Sequence, residues 1–274
     1  MGSFEGDGEV PSDLRASLIP ADIEWGALSA AERALWAGIV WSRSGRGDLA
    51  WSSWGRVDDP RLAAWRAAEQ GRVLRELGLH ADAEAVEAPA LESAEDPVVA
   101  VMLRISLTAD AVGRNAIDLA ARRLAAAREA SSRAEAASDS PRLARQRLRL
   151  AWVGAEVDWI HGRAPDGSGL PSRAVDGSIQ WPADHAHGSD FHRAKSLLFA
   201  GMVHGDLDLL DRAIEIAPTG LAWAAHLARA ALGAPDGERS AARAWSRCVP
   251  PPHVAAAVAA TPTARRLRAV SGDS

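Results

Sequence analysis

The sequence predicts an all-α fold. From residue 28 onward it is dominated by Ala, Leu, Arg and Glu, which are good helix formers. Alternating runs of Val, Ile and Thr are scarce, so few strands are expected and no doubly wound sheet. Helix start and stop signals also recur, and they return at a spacing of 33–35 residues.

Each element follows from those signals. "LSAAERALWAGIVW" begins with Ser29 and Glu32 in capping-box spacing, ahead of an apolar stripe at Leu35, Trp36 and Ile39. "DDPRLAAWRAAEQGRVLRELG" opens on Asp59 and Pro60, a cap followed by a first-turn proline, and stops at Gly78. "SPRLARQRLRLAWVGAEVDWIHG" repeats the pattern with Ser140, Pro141 and Gly162. "DFHRAKSLLFAGMV" reads as a helix capped by Ser189 or Asp190, "LDLLDRAIEIAP" as its shorter partner, and "GLAWAAHLARAALG" as the start of another unit.

The recurrence can be followed residue by residue. Gly38, Trp41, Gly45, Ala50 and Trp54 are answered 33 residues later by Gly71, Leu74, Gly78, Ala83 and Glu87. Ser106, Ala109 and Gly113 continue the series, and Gly154 and Val157 begin a weaker fourth unit. Two antiparallel helices approach closely where a small side chain faces the partner, which suits Gly38 and Gly71. The turns need a left-handed backbone, which suits Gly45 and Gly78.

This pattern resembles the tetratricopeptide repeat, a helix–turn–helix unit of about 34 residues. Tryptophan stands where that family often carries tyrosine, and the second unit has no aromatic near its end. The resemblance implies antiparallel hairpins stacked as a right-handed solenoid, because one hairpin cannot bury its own apolar face. The expected organisation is an N-terminal tail over 1–27 and repeats over 28–162. An irregular insert over 163–189, further hairpins over 190–261 and a tail over 262–274 complete it. The insert is rich in Gly, Pro, Asp and Ser and has no helical period.

"VHGDLDLLD" invites a different reading, because "HGD" resembles the catalytic loop of aminoglycoside-phosphotransferase-type kinases. That resemblance implies Asp206 as base and Asp211 as metal ligand. The sequence holds no G-x-G-x-x-G, however, and its only lysine, Lys195, lies nine residues before His204. A turn between helices accounts for more of the stretch.

Composition narrows function further. The 274 residues include one cysteine, Cys248, which rules out an internal disulfide and cysteine-based zinc sites. No run reaches the ~18 apolar residues of a membrane span. The start carries no signal-peptide pattern, so a cytoplasmic protein with no membrane role is expected. Residues 98–149 hold 10 Arg against 5 acids, whereas residues 1–97 hold 9 against 18. The run from Arg122 to Arg149 reads as a solvated helix face paired in part with the acidic 82–96 segment. It lacks interleaved aromatics, so nucleic acid is not an expected partner. The tryptophans crowded between Trp25 and Trp65 read mainly as core.

The densest set of metal-ligating side chains is His185, His187, Asp190 and His192, a chemistry suited to zinc, manganese or iron. Asp158 and His161 add a carboxylate–histidine pair at helical spacing. The order H-x-H-x-x-D-x-H departs from the H-x-H-x-D-H motif of metallo-β-lactamase-type hydrolases. Those enzymes also need a β-sandwich, which this sequence does not offer. The leading expectation is therefore a non-catalytic helical scaffold for a protein or peptide partner, with no catalytic residue and no cofactor. The alternative is a metal-dependent enzyme or sensor that uses the 185–192 cluster and a divalent metal.

Overall fold

Residues 10–272 are described by a computed structural model, and most of them are helical. Short α1 (Ser12–Leu18) precedes α2 (Ala30–Arg43) and α3 (Gly47–Trp54). Then come α4 (Ala63–Glu76), α5 (His80–Glu92), α6 (Pro97–Gly113), α7 (Ile117–Ala137) and α8 (Pro141–Ile160). After the insert follow α9 (Asp190–His204), α10 (Leu207–Ile216), α11 (Thr219–Ala231), α12 (Gly237–Trp245), α13 (Ala255–Ala259) and α14 (Pro262–Ser271). No helix among the described residues is long and apolar enough to cross a membrane.

The caps account for the helix starts. Ser29 Oγ accepts from the Glu32 amide at 3.2 Å while Glu32 Oε2 accepts from the Ser29 amide at 2.8 Å, which completes the capping box. Asp59 accepts from the Arg61 amide at 2.9 Å, and Pro60–Leu62 form a 3₁₀ turn that leads into α4. Ser140 Oγ accepts from the Leu143 amide at 3.2 Å. "HGD" is a turn: Gly205 is left-handed at φ 65°, and Asp206 Oδ1 caps α10 through the Asp208 amide at 2.9 Å.

The helices pair as hairpins, α2 with α3, α4 with α5, α6 with α7, α9 with α10 and α11 with α12. Close approach at glycine sets the pairing. A Cβ on Gly38 would stand 2.2 Å from Trp54 Nε1, and one on Gly71 would stand 2.2 Å from Glu87 Oε1. These are equivalent places in consecutive hairpins.

The inner helices α2, α4, α6, α8, α9 and α11 pack in succession. Contacts advance in step along neighbours: Trp36 meets Trp65, while Ser42 further along α2 meets Arg72 further along α4. The inner helices therefore run in one direction and the outer ones return. The sixth comes back to the first, with the start of α11 against the end of α2. A Cβ on Gly220 would lie 2.8 Å from the Arg43 carbonyl oxygen. A parallel bridge between Arg46 and Val249 fastens the same seam, with the Gly47 amide donating to the Val249 carbonyl at 2.8 Å. The array thus completes one turn around a central space. Its core lies between the inner and outer layers in several clusters.

The two expected tails hold short helices, and the irregular insert packs against its neighbours. The 1–27 tail contains α1, and Val10 and Leu18 are buried; residues 1–9 lie outside the described part. The 262–274 tail contains α14, started by Thr261 and Pro262, and Leu267 buries itself against α12. Both helices are short, so few apolar residues announce them. The 163–189 insert stands where α8 would otherwise have an outer partner. It holds a two-stranded hairpin, Ser172–Arg173 with Ile179–Gln180, and a 3₁₀ turn at Ala183–His187 that packs on α8. Leu170 enters the core beside α9 and α10, and Asp184 pairs with Arg147.

Candidate functional site

The central space is a chamber of about 580 Å³ walled by the six inner helices. Most contribute a stripe at i, i+4, i+7 and i+11, the face that a straight helix turns toward one neighbour. On α4 the stripe is Trp65, Glu69, Arg72 and Glu76; on α8 it is Arg145, Arg149, Trp152 and Glu156. On α9 it is Phe191, Lys195, Leu198 and Met202, and α2 adds Trp36, Ile39 and Arg43. The stripes of α6 and α11 are almost uncharged, with Met102, Ser106 and Ala109 on one and Ala224 and Leu227 on the other. A charged belt therefore crosses an otherwise apolar chamber.

The belt is partly self-compensated. Arg72 donates from Nε to Glu69 at 2.8 Å and from Nη1 to Glu76 at 2.7 Å. Burial alone would lower the Arg72 pKa, but Glu76 and Glu69 outweigh it and raise it. Burial likewise works to raise Glu69, yet Arg72 and Arg43 hold it below the usual carboxylate value. Arg145 reaches Asp22 at 2.8 Å, and Lys195 lies 3.7 Å from Glu76.

Arg43 and Arg149 have no carboxylate partner among the described residues. Arg43 donates to the Leu18 carbonyl at 2.5 Å and to Ser189 Oγ at 3.3 Å, and lies over the Phe191 ring at 4.6 Å. Its Nε has no acceptor. Arg149 donates to Gln146 Oε1 at 3.0 Å and Ser106 Oγ at 2.9 Å, both neutral. Burial pushes Arg43 down to about 9 and Arg149 to about 10, so both remain cationic at neutral pH.

His192 lies amid these cations. Its Nδ1 accepts from the Ser189 amide at 3.2 Å, so the neutral ring carries its proton on Nε2. Burial, followed by Arg43, Arg145, Arg149 and Lys195, holds it well below the usual histidine pKa. One turn further along α9, burial lowers Lys195 against the charges of Glu76 and Glu156, and burial raises Glu156 against the charge of Lys195.

The four residues expected as a metal set do not converge. His192 faces the chamber. His185 is buried beside Trp181, with Nδ1 3.2 Å from the Pro182 carbonyl. His187 is exposed, and Asp190 pairs with Arg193 at 3.4 Å. Asp158 turns to Arg163 and His161 to the Val157 carbonyl. Among the described residues no three His, Cys, Asp or Glu side chains could hold a metal ion together. Burial raises the Cys248 thiol to about 11, so it is not an activated nucleophile.

The acidic-segment pairing expected for the arginine run is present at Arg123 with Glu84 and Arg142 with Asp96. Arg145 and Arg149 turn inward instead. Their signal was in the sequence, since they share a helical face with Trp152. Comparison with protein-family models, with curated proteins and with solved structures finds no match.

Proposed function

We propose that this chain is a small-molecule-binding protein whose ligand lies in the central chamber. The observation that carries this reading is an internal volume of about 580 Å³, walled by aromatic and aliphatic side chains and crossed by a belt of charged ones. Binding sites for small ligands have this size and makeup. The equivalent places of Gly38 and Gly71, and of Gly45 and Gly78, support reading the hairpins as tetratricopeptide-like units wound as a solenoid around the ligand. The protein or peptide partner expected from that likeness takes one form here, a chain end or side chain entering the same chamber. The metal reading drew on residues that the fold separates, and is not pursued.

A neutral apolar fluorophore, N-phenyl-1-naphthylamine, tests the proposal by its own emission and by quenching of tryptophan. Saturable binding is expected, weakened at least tenfold by Ala224→Trp, which fills the chamber from α11. Absence of saturable binding by this probe and by its charged analogues would overturn the proposal. A partner peptide that displaces the probe would support the chain-end form.

A further inference from the structure

We infer that the charged belt holds an oxyanion, the carboxylate, sulfonate or phosphate end of the chamber's ligand, between Arg43 and Arg149. This rests on the chamber being a ligand site, and adds which chemical class occupies it.

Charge balance motivates the inference. Five cations meet at the belt, Arg43, Arg72, Arg145, Arg149 and Lys195. Three carboxylates answer them: Glu69 and Glu76 through Arg72, and Asp22 through Arg145. Glu156 stands beyond Lys195, and burial there disfavours its ionised form. Arg75, also on the wall, is taken up by Glu87 at 2.9 Å and Asp110 at 3.3 Å. The five belt cations therefore outnumber their three directly paired carboxylates, and Arg43 and Arg149, which feel Glu69 only through space, hydrogen-bond to neutral groups alone.

Burying such cations without a directly paired counter-charge is costly, and proteins avoid it unless something compensates. The belt also holds a buried donor without an acceptor. Arg43 Nε–H is unsatisfied, although Arg43 is only 6% exposed. His192, on the chamber wall beside both guanidiniums, carries its remaining proton on Nε2. A guanidinium fork with further N–H donors suits a planar or tetrahedral oxyanion. The aromatic wall around the belt, from Trp36, Trp65, Trp152 and Phe199, then receives the apolar part of the same ligand.

A matched probe pair separates the two claims. The probe 8-anilinonaphthalene-1-sulfonate is N-phenyl-1-naphthylamine with one sulfonate added, so the two differ only in the anion. At low ionic strength the sulfonate probe is expected to bind at least tenfold more tightly than its neutral parent. Inorganic phosphate should compete with the sulfonate probe and leave the neutral one in place; acetate in a parallel titration distinguishes carboxylate from phosphate preference. In R43Q/R149Q the tenfold preference should vanish, the sulfonate probe binding no more tightly than the neutral one does to the same variant. E69Q, which removes negative charge from the belt, should tighten sulfonate binding severalfold. It gives a gain that misfolding would not mimic.

Equal affinity for the two probes, or a preference that survives R43Q/R149Q, would overturn the oxyanion inference and leave the chamber reading intact. Binding by neither probe would overturn the chamber reading itself. Should the double variant fail to fold, R149Q alone decides the matter: the preference for the sulfonate probe should fall, and an unchanged preference would overturn the inference.

Discussion

Single residues fix the hairpin spacing, and one of them carries a shifted titration. Gly38 has no room for a methyl group, because Trp54 is held there by its indole N–H to the Leu35 carbonyl at 3.1 Å. Gly38→Ala should therefore destabilise by about 1–3 kcal/mol, the usual cost of overpacking, measurable as a lower urea midpoint. At the equivalent place in the next hairpin stands Glu87, fully buried with Asp110 and sharing one arginine, Arg75. Burial first, then the neighbouring Asp110, raises the Glu87 pKa well above 4.5. A carboxyl raised on folding binds protons more tightly in the native state. Its contribution is full below the unfolded pKa and is lost as pH rises through the folded one. Glu87→Gln, which imitates the protonated form, should be more stable than wild type near neutral pH, and the gap should close on descending to pH 4.5. Urea titrations at a series of pH values would check this. The glycines were legible from spacing alone. The carboxyl pair was not, because Glu87 and Asp110 lie 23 residues apart on different helices and meet only in the packed form.

At the scale of elements, capping chemistry proved readable and absence of period proved misleading. Ser29, Asp59 and Ser140 each announced a helix that the structure contains, since a cap is satisfied within three residues and needs no tertiary context. The insert announced nothing, yet it fills the outer position next to α8. It does so through single anchors rather than a stripe: Leu170 in the α9–α10 core and Asp184 on Arg147 at 2.5 Å. Leu170→Ala should cost about 2–5 kcal/mol, as for other buried leucines, although it lies in a segment that looks like a loop. A loss below about 0.5 kcal/mol in urea denaturation would show that the insert contributes little to the core. The charged belt was hidden for a related reason. Arg145 and Arg149 are arginines among arginines, and only their register with Trp152 distinguishes inward from outward faces. A helix that carries Arg or Glu on its aromatic stripe is better read as lining a wet interior than as a solvated surface.

At the scale of the molecule, what matters is that the turn of helices comes back on itself. A 33-residue recurrence predicts stacking but leaves the return unspecified, because the return depends on small rotations added over all the units. Here the sum brings Gly220, at the start of α11, under the last turn of α2, beside the Ser42 and Arg43 carbonyls. The contact joins the first hairpin to the last and holds Arg43, one of the two unpaired guanidiniums, in the chamber wall. Stability and ligand binding should consequently be coupled through the seam. A leucine at 220 meets backbone at 2.8–2.9 Å, which cannot move aside as a flexible side chain would. Gly220→Leu is thus expected to lower the urea midpoint and to weaken the sulfonate probe more than its neutral parent, since Arg43 is displaced while most of the apolar wall remains. Gly26→Ala, which would meet nothing within 4 Å, serves as the control and should change neither. If Gly220→Leu destabilises the protein yet leaves both probes bound as before, the chamber does not depend on the seam, and the array holds its ligand within the first five inner helices alone.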